Sequence, residues 1–137
     1  VPWGFQAMKL LAAEGIPVTA TAIYTPMQAY LAGMCGAKYA APYVNRIDNM
    51  GCDGIGAAQE IHDIFEKNGI PCQVLAASFK NSQQVLELCK HGVGAATLPP
   101  EVLEALVKNP AIDSAVQAFV QDFEELAGPG HTMRDCL

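Results

Sequence analysis

The sequence predicts an α/β fold built on a parallel β-sheet. Segments with the apolar spacing of helices alternate with short apolar segments that favour extended chain, and the links between them are short. A glycine stands at each of four junctions between a helix and the next strand: Gly15, Gly36, Gly69 and Gly92. The strands are rich in alanine, as expected of parallel strands that are covered on both faces. Four consecutive βα units therefore predict parallel pairing through right-handed crossovers.

The first two units lie in the N-terminal part of the chain. Residues 3–14 have apolar side chains at helical spacing, and Gly15 can close this helix as a left-handed cap. Residues 16–23 are rich in β-branched side chains and predict a strand. A helix is predicted over residues 26–34. Residues 39–44 form an apolar strand that ends abruptly in the polar sequence Asn-Arg-Ile-Asp.

The third and fourth units follow the same order. Residues 55–67 have their apolar side chains on one side of a helix, and an Asn-Gly pair ends it. Residues 73–77 predict a strand. A helix is predicted over residues 82–89, with Ser82 as its N-cap. Residues 94–98 predict a short fourth strand that stops before a Pro-Pro pair.

Two further helices are predicted after the fourth strand. The Pro-Pro pair starts a helix over residues 101–107. A longer helix over residues 111–127 has apolar side chains spaced for burial along one side. Residues 128–137 are expected to form a tail that is loose or docked on a neighbouring chain.

Two architectures fit four βα units: an open doubly wound sheet, or half of a (βα)8 TIM barrel. No GxGxxG or GxxxxGK[ST] sequence follows a strand, which weakens a nucleotide-binding open sheet. Polar residues end three strands instead, the pattern of barrel enzymes whose sites lie at the carboxyl ends of the strands. A complete barrel takes about 200 residues or more. We therefore expect residues 1–127 to form half of a barrel with an added C-terminal helix, and residues 128–137 a tail.

Composition narrows the classes of function. Apolar residues make up 51% of the 137 residues and charged residues 16%, so we expect much of the chain to face other protein. The net charge of −6 and the scattered lysines and arginines argue against nucleic-acid binding. No signal peptide and no run as long as a membrane span is visible. Five cysteines without a CxxC pair predict free thiols in the cytoplasm, and their spacing from the histidines predicts no metal site.

Four motifs carry a resemblance to a known family. They are Thr-Ala-Thr-Ala-Ile-Tyr at 19–24, Ala-Pro-Tyr-Val-Asn-Arg-Ile-Asp at 41–48, Leu-Ala-Ala-Ser-Phe-Lys at 75–80 and Thr-Leu-Pro at 97–99. In this order and at this spacing the motifs resemble the small transaldolase family, and within it the fructose-6-phosphate aldolases. The resemblance runs from about Gly4 to Gly128, in register with the C-terminal half of that family's (βα)8 barrel, that is, its last four βα units.

The resemblance implies a class I aldolase. Such enzymes form, cleave or transfer a dihydroxyacetone unit of sugar phosphates such as fructose 6-phosphate, and they use no cofactor. The family's Schiff-base lysine would fall just upstream of Val1, together with the missing N-terminal half of the barrel. A tyrosine at Tyr43, where transaldolases proper have phenylalanine, favours direct aldol chemistry. A ring-like homo-oligomer, a decamer for example, is also implied, with the last helix reaching a neighbouring subunit.

Four residues form the candidate site. Tyr43 is expected to transfer a proton, directly or through a water that Thr21 helps to hold. Arg46 is expected to bind the substrate phosphate, and Ser78 to add a hydroxyl and a backbone N–H to the same anion. Each residue has a structural alternative. Tyr43 could simply pack at a strand end, and Thr21 could fill a strand. Arg46 could form a surface ion pair with Asp48, and Ser78 could be a turn or capping residue.

Two other functions fit the same residues. One is another phosphosugar barrel enzyme of the isomerase type, for which Asp48 is the nearest candidate base. The other is a non-catalytic half-barrel that associates with a partner half or serves as a scaffold. Lys80 is the alternative Schiff-base lysine within the chain, although its position at a strand end predicts that it lies beyond the rim of the pocket.

Overall fold

The computed structural model describes residues 2–136, which fall into two compact units, one up to Leu103 and the other from Glu104 onward. The helices are α1 Pro2–Ala13, α2 Pro26–Met34, α3 Val44–Asn49, α4 Gly54–Asn68, α5 Ser82–His91, α6 Pro100–Val107 and α7 Pro110–Ala127. The strands are β1 Thr19–Ile23, β2 Tyr39–Pro42, β3 Gln73–Ala76 and β4 Ala95–Ala96. A 3-10 helix, Met133–Cys136, lies near the end of the second unit.

The four strands form one parallel sheet in the order β1-β2-β3-β4. Thr19 pairs with Tyr39, and Tyr39 pairs with Gln73, so these three side chains lie on the same face of the sheet. A bridge between Tyr43 and Ala77 extends the β2–β3 pairing beyond both strands. The predicted order of four parallel βα units is therefore confirmed, and the carboxyl ends of the strands share one edge.

The two faces of the sheet differ in burial. The face covered by the helices has small apolar side chains, among them Ala20, Ala40 and Ala76, and forms a core with Ile61 and Phe65 of α4. The opposite face, which we call the open face, bears Thr19, Thr21, Tyr39, Gln73 and Leu75. Those five side chains are exposed or half-buried. A parallel sheet is normally covered on both faces, so the open face is an incomplete surface.

Local structure differs from the prediction where β2 ends. The strand predicted over residues 39–44 stops at Pro42, and Val44–Asn49 forms the short helix α3 instead of a loop. The Val44 and Asn45 N–H groups still donate to carbonyls of the β3 end, whereas Ile47 already donates to the Tyr43 carbonyl as in a helix. Long-range pairing thus directs the chain straight from the sheet into a helical turn.

Helix α5 begins at Ser82 as predicted, but its N-cap was predicted wrongly. Asn81, not Ser82, is its N-cap: the Asn81 side chain accepts from the Gln84 N–H at 3.0 Å. Asparagine caps helices at least as well as serine, and here its backbone is extended, as the cap position requires.

The second unit, considered by itself, consists mainly of α7. The side chain of Asn109 caps the helix by accepting from the Ala111 N–H at 2.9 Å. None of the residues of α7 is buried, and large apolar side chains such as Phe119 remain exposed. Within residues 2–136, no helix has both the length and the apolar character that crossing a membrane requires.

A surface contact between α4 and α5 predicts a pH dependence of stability. His91 Nε2 lies 2.8 Å from Asp63 Oδ1, and Lys67 Nζ lies 3.3 Å from Asp63 Oδ2. His91 first, and then Lys67, hold the pKa of Asp63 below its usual 3.8. A lowered folded-state pKa contributes stability that is present above pH 3.8 and is lost as the pH falls through the folded value.

We therefore expect Asp63→Asn to reduce the acid sensitivity of unfolding. The urea midpoint should fall less steeply below about pH 4 in this variant than in the unsubstituted chain, because that carboxylate no longer titrates. The matched control is Asp122→Asn on α7, which removes an exposed carboxylate elsewhere. Identical slopes for all three proteins would show that the contacts of Asp63 with His91 and Lys67 contribute nothing.

Candidate functional site

The predicted site residues follow the carboxyl ends of three neighbouring strands. Thr21 lies near the end of β1, Tyr43 follows β2, and Ser78 follows β3. Thr21 Oγ1 and Tyr43 Oη are 3.0 Å apart and share a hydrogen bond. The side chain of Thr21 is exposed on the open face and that of Tyr43 is half-buried. The two hydroxyls therefore form a pair that can pass a proton between them and an adjacent water.

An irregularity in β1 directly follows Thr21. The register with β2 shifts between Ala20 and Ile23, and Ala22 has a φ of 56°. Left-handed backbone is uncommon for alanine, and an extra residue of this kind redirects the side chains beside it. Thr21 is exposed on the same face as Thr19, as in a regular strand, but Ala22 is exposed as well and Ile23 is buried. In the regular strand that we predicted, Ala22 would be buried and Ile23 exposed.

Arg46 lies in the first turns of α3, beside the hydroxyl pair. Its guanidinium carbon is 4.7 Å from the centroid of the Tyr43 ring, within the range of a cation–π contact. The pKa of Arg46 is raised chiefly by hydrogen bonding and charge interaction with the Tyr24 side chain, with a smaller contribution from Tyr43. The guanidinium is exposed, and no carboxylate within residues 2–136 forms an ion pair with it.

Asp48, the alternative partner that the sequence offered for Arg46, is engaged elsewhere. One carboxylate oxygen accepts from the Gly54 N–H at 2.8 Å and the other from Gln84 Nε2 at 2.7 Å. Gly54 has room for no side chain here, since a Cβ would collide with the Val44 carbonyl. Asp48 therefore joins α3 to α4 and α5 and does not neutralise Arg46.

Tyr24 is a site residue to which the sequence analysis assigned no role. It comes directly after β1, and its ring meets that of Tyr43 edge-on with centroids 5.8 Å apart. Tyr24 is half-buried, and its side chain is the strongest influence on the pKa of Arg46. The signal in the sequence was an aromatic hydroxyl at the carboxyl end of a strand, three residues after Thr21.

Ser78 is joined to the same region through its backbone. Its carbonyl accepts from the Asn45 N–H at 2.7 Å, and Asn45 directly precedes Arg46. Ser78 has a φ of 62°, in the left-handed region that serine rarely adopts. Its hydroxyl forms no hydrogen bond with another described residue, and it does not cap α5, because Asn81 does. The structure thus provides a half-buried serine with a free hydroxyl near Arg46.

The arrangement combines a hydroxyl pair with an unpaired cation. Such a combination suits proton transfer next to a bound anion. Within residues 2–136 no three His, Cys, Asp or Glu side chains are grouped so as to hold a metal ion. Lys80 is exposed and its backbone N–H donates to Gln84 Oε1.

The chain is similar to a known family and to several solved structures. A family model described as Transaldolase/Fructose-6-phosphate aldolase matches residues 1–136. A Pediococcus acidilactici protein described as a lactate oxidase is similar in structure, with a TM-score of 0.53 and 19% identity over 69% of this chain and 26% of that one. A mandelate oxidase variant with 2-hydroxy-phenylacetamide has a TM-score of 0.54 and 20% identity over 90% of this chain and 39% of that one.

At such identities the similarity to the oxidases shows the fold alone. These oxidases are TIM barrels, so the predicted fold class is confirmed, with this chain as part of a barrel. The chain spans only between a quarter and two-fifths of the length of the structures that it matches.

Proposed function

This chain belongs to the transaldolase/fructose-6-phosphate aldolase family, and from that membership we propose that it forms one wall of a class I aldolase site for sugar phosphates such as fructose 6-phosphate. One observation carries the proposal. The hydroxyl of Tyr43 lies 3.0 Å from Thr21 Oγ1, while the Arg46 guanidinium, 4.7 Å from the same ring, is not neutralised by a described carboxylate. A proton relay and an anion site therefore stand side by side.

The proposed reaction begins with a lysine amine upstream of Val1, which condenses with the substrate ketone and releases water. When the substrate C3–C4 bond breaks, its electron pair moves into the Schiff base, and the C4 hydroxyl loses its proton as it becomes an aldehyde. Tyr43, or a water bound to the Tyr43–Thr21 hydroxyl pair, removes that proton and later delivers one to C3. Hydrolysis of the remaining Schiff base then takes up one water and releases dihydroxyacetone and the lysine amine. Tyrosine at this position supports cleavage and addition rather than transfer.

Arg46 and Ser78 are proposed to hold the substrate phosphate. A guanidinium presents a planar fork of donors that matches two phosphate oxygens. Ser78 adds its unengaged hydroxyl and its backbone N–H from the neighbouring segment. The substrate would then lie over the carboxyl ends of β2 and β3, with its phosphate held away from the reacting carbons.

We further propose that the open face is covered by the N-terminal half of the barrel. Two features support this assembly. β1 is an edge strand of the sheet, and a cavity of about 540 Å³ runs beside it, lined by residues of α1, β1 and α2. An exposed strand edge normally needs a partner. A strand from the missing half would pair there and bring the lysine close to Thr21.

The exposed apolar side chains of α7 are proposed to dock on a neighbouring subunit in a ring-like homo-oligomer, such as a decamer. Phe119 is 71% exposed and Ile112 56% exposed, more apolar surface than a solvated helix usually presents.

The five cysteines are free thiols, and on that ground we propose the cytoplasm as the compartment.

Borohydride trapping tests the proposed chemistry. Protein that includes the residues upstream of Val1 is incubated with fructose 6-phosphate or dihydroxyacetone, reduced, digested and examined by mass spectrometry. We expect an adduct on one lysine upstream of Val1, because reduction makes the Schiff base permanent. Omission of the sugar is the control. An unmodified protein that nevertheless cleaves the sugar would exclude the Schiff-base mechanism, and an adduct on Lys80 would move the nucleophile into this chain.

The isomerase alternative has less support than the aldolase. It needs a free carboxylate base, and the nearest candidate, Asp48, already accepts hydrogen bonds with both of its oxygens. Interconversion of aldose and ketose phosphates without any trapped lysine would favour it. Absence of both activities in the complete protein would favour the scaffold.

A further inference from the structure

A buried amide connects the two segments that carry Arg46 and Ser78. Gln84 on α5 is a polar side chain with only 6% of its surface exposed. Its Nε2 donates to Asp48 Oδ2 at 2.7 Å, and its Oε1 accepts from the Lys80 N–H at 2.8 Å. Asp48 lies in the helix of Arg46, and Lys80 lies two residues after Ser78.

The connection acts on a backbone conformation that needs support. Ser78 has a φ of 62°, and a non-glycine residue keeps such a conformation only where its surroundings hold it. On one side the Ser78 carbonyl is held by the Asn45 N–H at 2.7 Å. On the other side the chain is held at the Lys80 N–H by Gln84. Without Gln84 the segment after Ser78 loses this hydrogen bond and is held there only by the packing of the buried Phe79 side chain.

We propose that Asp48 and Gln84 are positioning residues that hold Ser78 in its left-handed conformation next to Arg46. In this position Ser78 and Arg46 can donate hydrogen bonds to the same phosphate. The inference rests on the proposed phosphate-binding role of Arg46 and Ser78. It assigns Asp48 to the specificity for phosphorylated substrates and not to proton transfer.

The chemistry of the pair explains why an amide is required. Gln84 must donate to a carboxylate and accept from a backbone N–H at the same time, and a side-chain amide does both. Gln84→Glu keeps the size but places two carboxylates face to face in a buried position. The double exchange Asp48→Asn with Gln84→Glu restores every hydrogen bond. The new amide accepts from the Gly54 N–H and donates to the new carboxylate, whose other oxygen accepts from the Lys80 N–H.

The exchange gives a direct test in protein that includes the residues upstream of Val1. We expect Gln84→Glu to raise KM for fructose 6-phosphate by about tenfold, the equivalent of one lost buried hydrogen bond. KM for dihydroxyacetone, which has no phosphate, should change less than about twofold when it is added to an unphosphorylated aldehyde. The double exchange should return KM for fructose 6-phosphate to near the unsubstituted value. The matched control is Gln83→Glu, which adds the same charge one residue earlier at an exposed position.

Two kinetic results would overturn the inference. One is an equal loss for both substrates in Gln84→Glu, which indicates a merely structural role. The other is a double variant that folds, as judged by its circular dichroism and melting curve, yet binds fructose 6-phosphate no better than the single variant.

A second measurement works without aldolase activity. Binding of inorganic phosphate, followed by the amide NMR signal of Ser78, should weaken in Asp48→Asn and recover in the double exchange. If the unsubstituted protein is not an aldolase but phosphate shows this pattern, the proposed reaction fails and the positioning role stands. If phosphate does not perturb Ser78 in the unsubstituted protein, or binds all variants alike, the positioning role fails whatever the reaction.

Discussion

Replacing Tyr43 with phenylalanine should lower kcat for fructose 6-phosphate cleavage by about 100-fold or more while leaving KM within about threefold. Positioned proton transfer typically contributes that much to a rate. The substitution removes only the hydroxyl that lies 3.0 Å from Thr21 Oγ1. The ring would still meet Tyr24 edge-on and still lie beneath the Arg46 guanidinium, so phosphate binding should persist.

Two companion variants make this result specific. Thr21→Val keeps the shape of the side chain but removes the partner of the Tyr43 hydroxyl, and we expect kcat to fall by about tenfold, the value of one hydrogen bond. Tyr39→Phe is the matched control, because Tyr39 is a half-buried tyrosine at the opposite end of β2. A Tyr43→Phe enzyme with a raised KM and an unchanged kcat would assign the hydroxyl to substrate binding instead.

Replacing Arg46 with alanine should raise KM for fructose 6-phosphate by about 10- to 100-fold. A charged hydrogen-bonding group contributes about 1.5–3 kcal/mol, and each 1.4 kcal/mol changes an affinity tenfold. The guanidinium is exposed and makes no ion pair within the described part of the chain, so its loss should hardly affect the melting temperature. Addition of dihydroxyacetone to an unphosphorylated aldehyde should proceed almost as well as before.

The charge and the geometry of Arg46 can be separated. Arg46→Lys keeps the charge but removes the planar fork, and an intermediate KM is expected. Arg134→Ala, in the 3-10 helix of the second unit, removes the other arginine of the chain and serves as the control. Equal losses for phosphorylated and unphosphorylated substrates would make Arg46 a structural residue.

Several elements could be predicted from local sequence because their signals are local. Residues 26–34 were predicted as a helix and form α2 with the same bounds. Its cap is a sequence-adjacent capping box between Thr25 and Gln28. Gly69 and Gly92 end α4 and α5 in left-handed conformations, as glycines at these junctions indicated.

Local structure that depends on contacts between residues far apart in the sequence could not be predicted in the same way. Helix α3 starts where the Val44 and Asn45 N–H groups meet carbonyls of the β3 end, more than thirty residues away. The left-handed Ala22 arises within a strand whose composition favours regular extension. The phosphate, proton-transfer and subunit roles remain predictions until the variants are measured.

The alternation of helices and strands, the family and the residues at the strand ends could be predicted from the sequence, because periodicity and motifs involve neighbouring positions. The structure was needed to show that Asp48 bonds Gln84 rather than Arg46. It was also needed to show that Ser78 is left-handed and that its hydroxyl bonds no other described residue. Asp48 and Gln84 are 36 positions apart in the sequence. Whether the Asp48 carboxylate bonds Gln84 or Arg46 depends on how the helices pack, and no local sequence pattern predicts that packing.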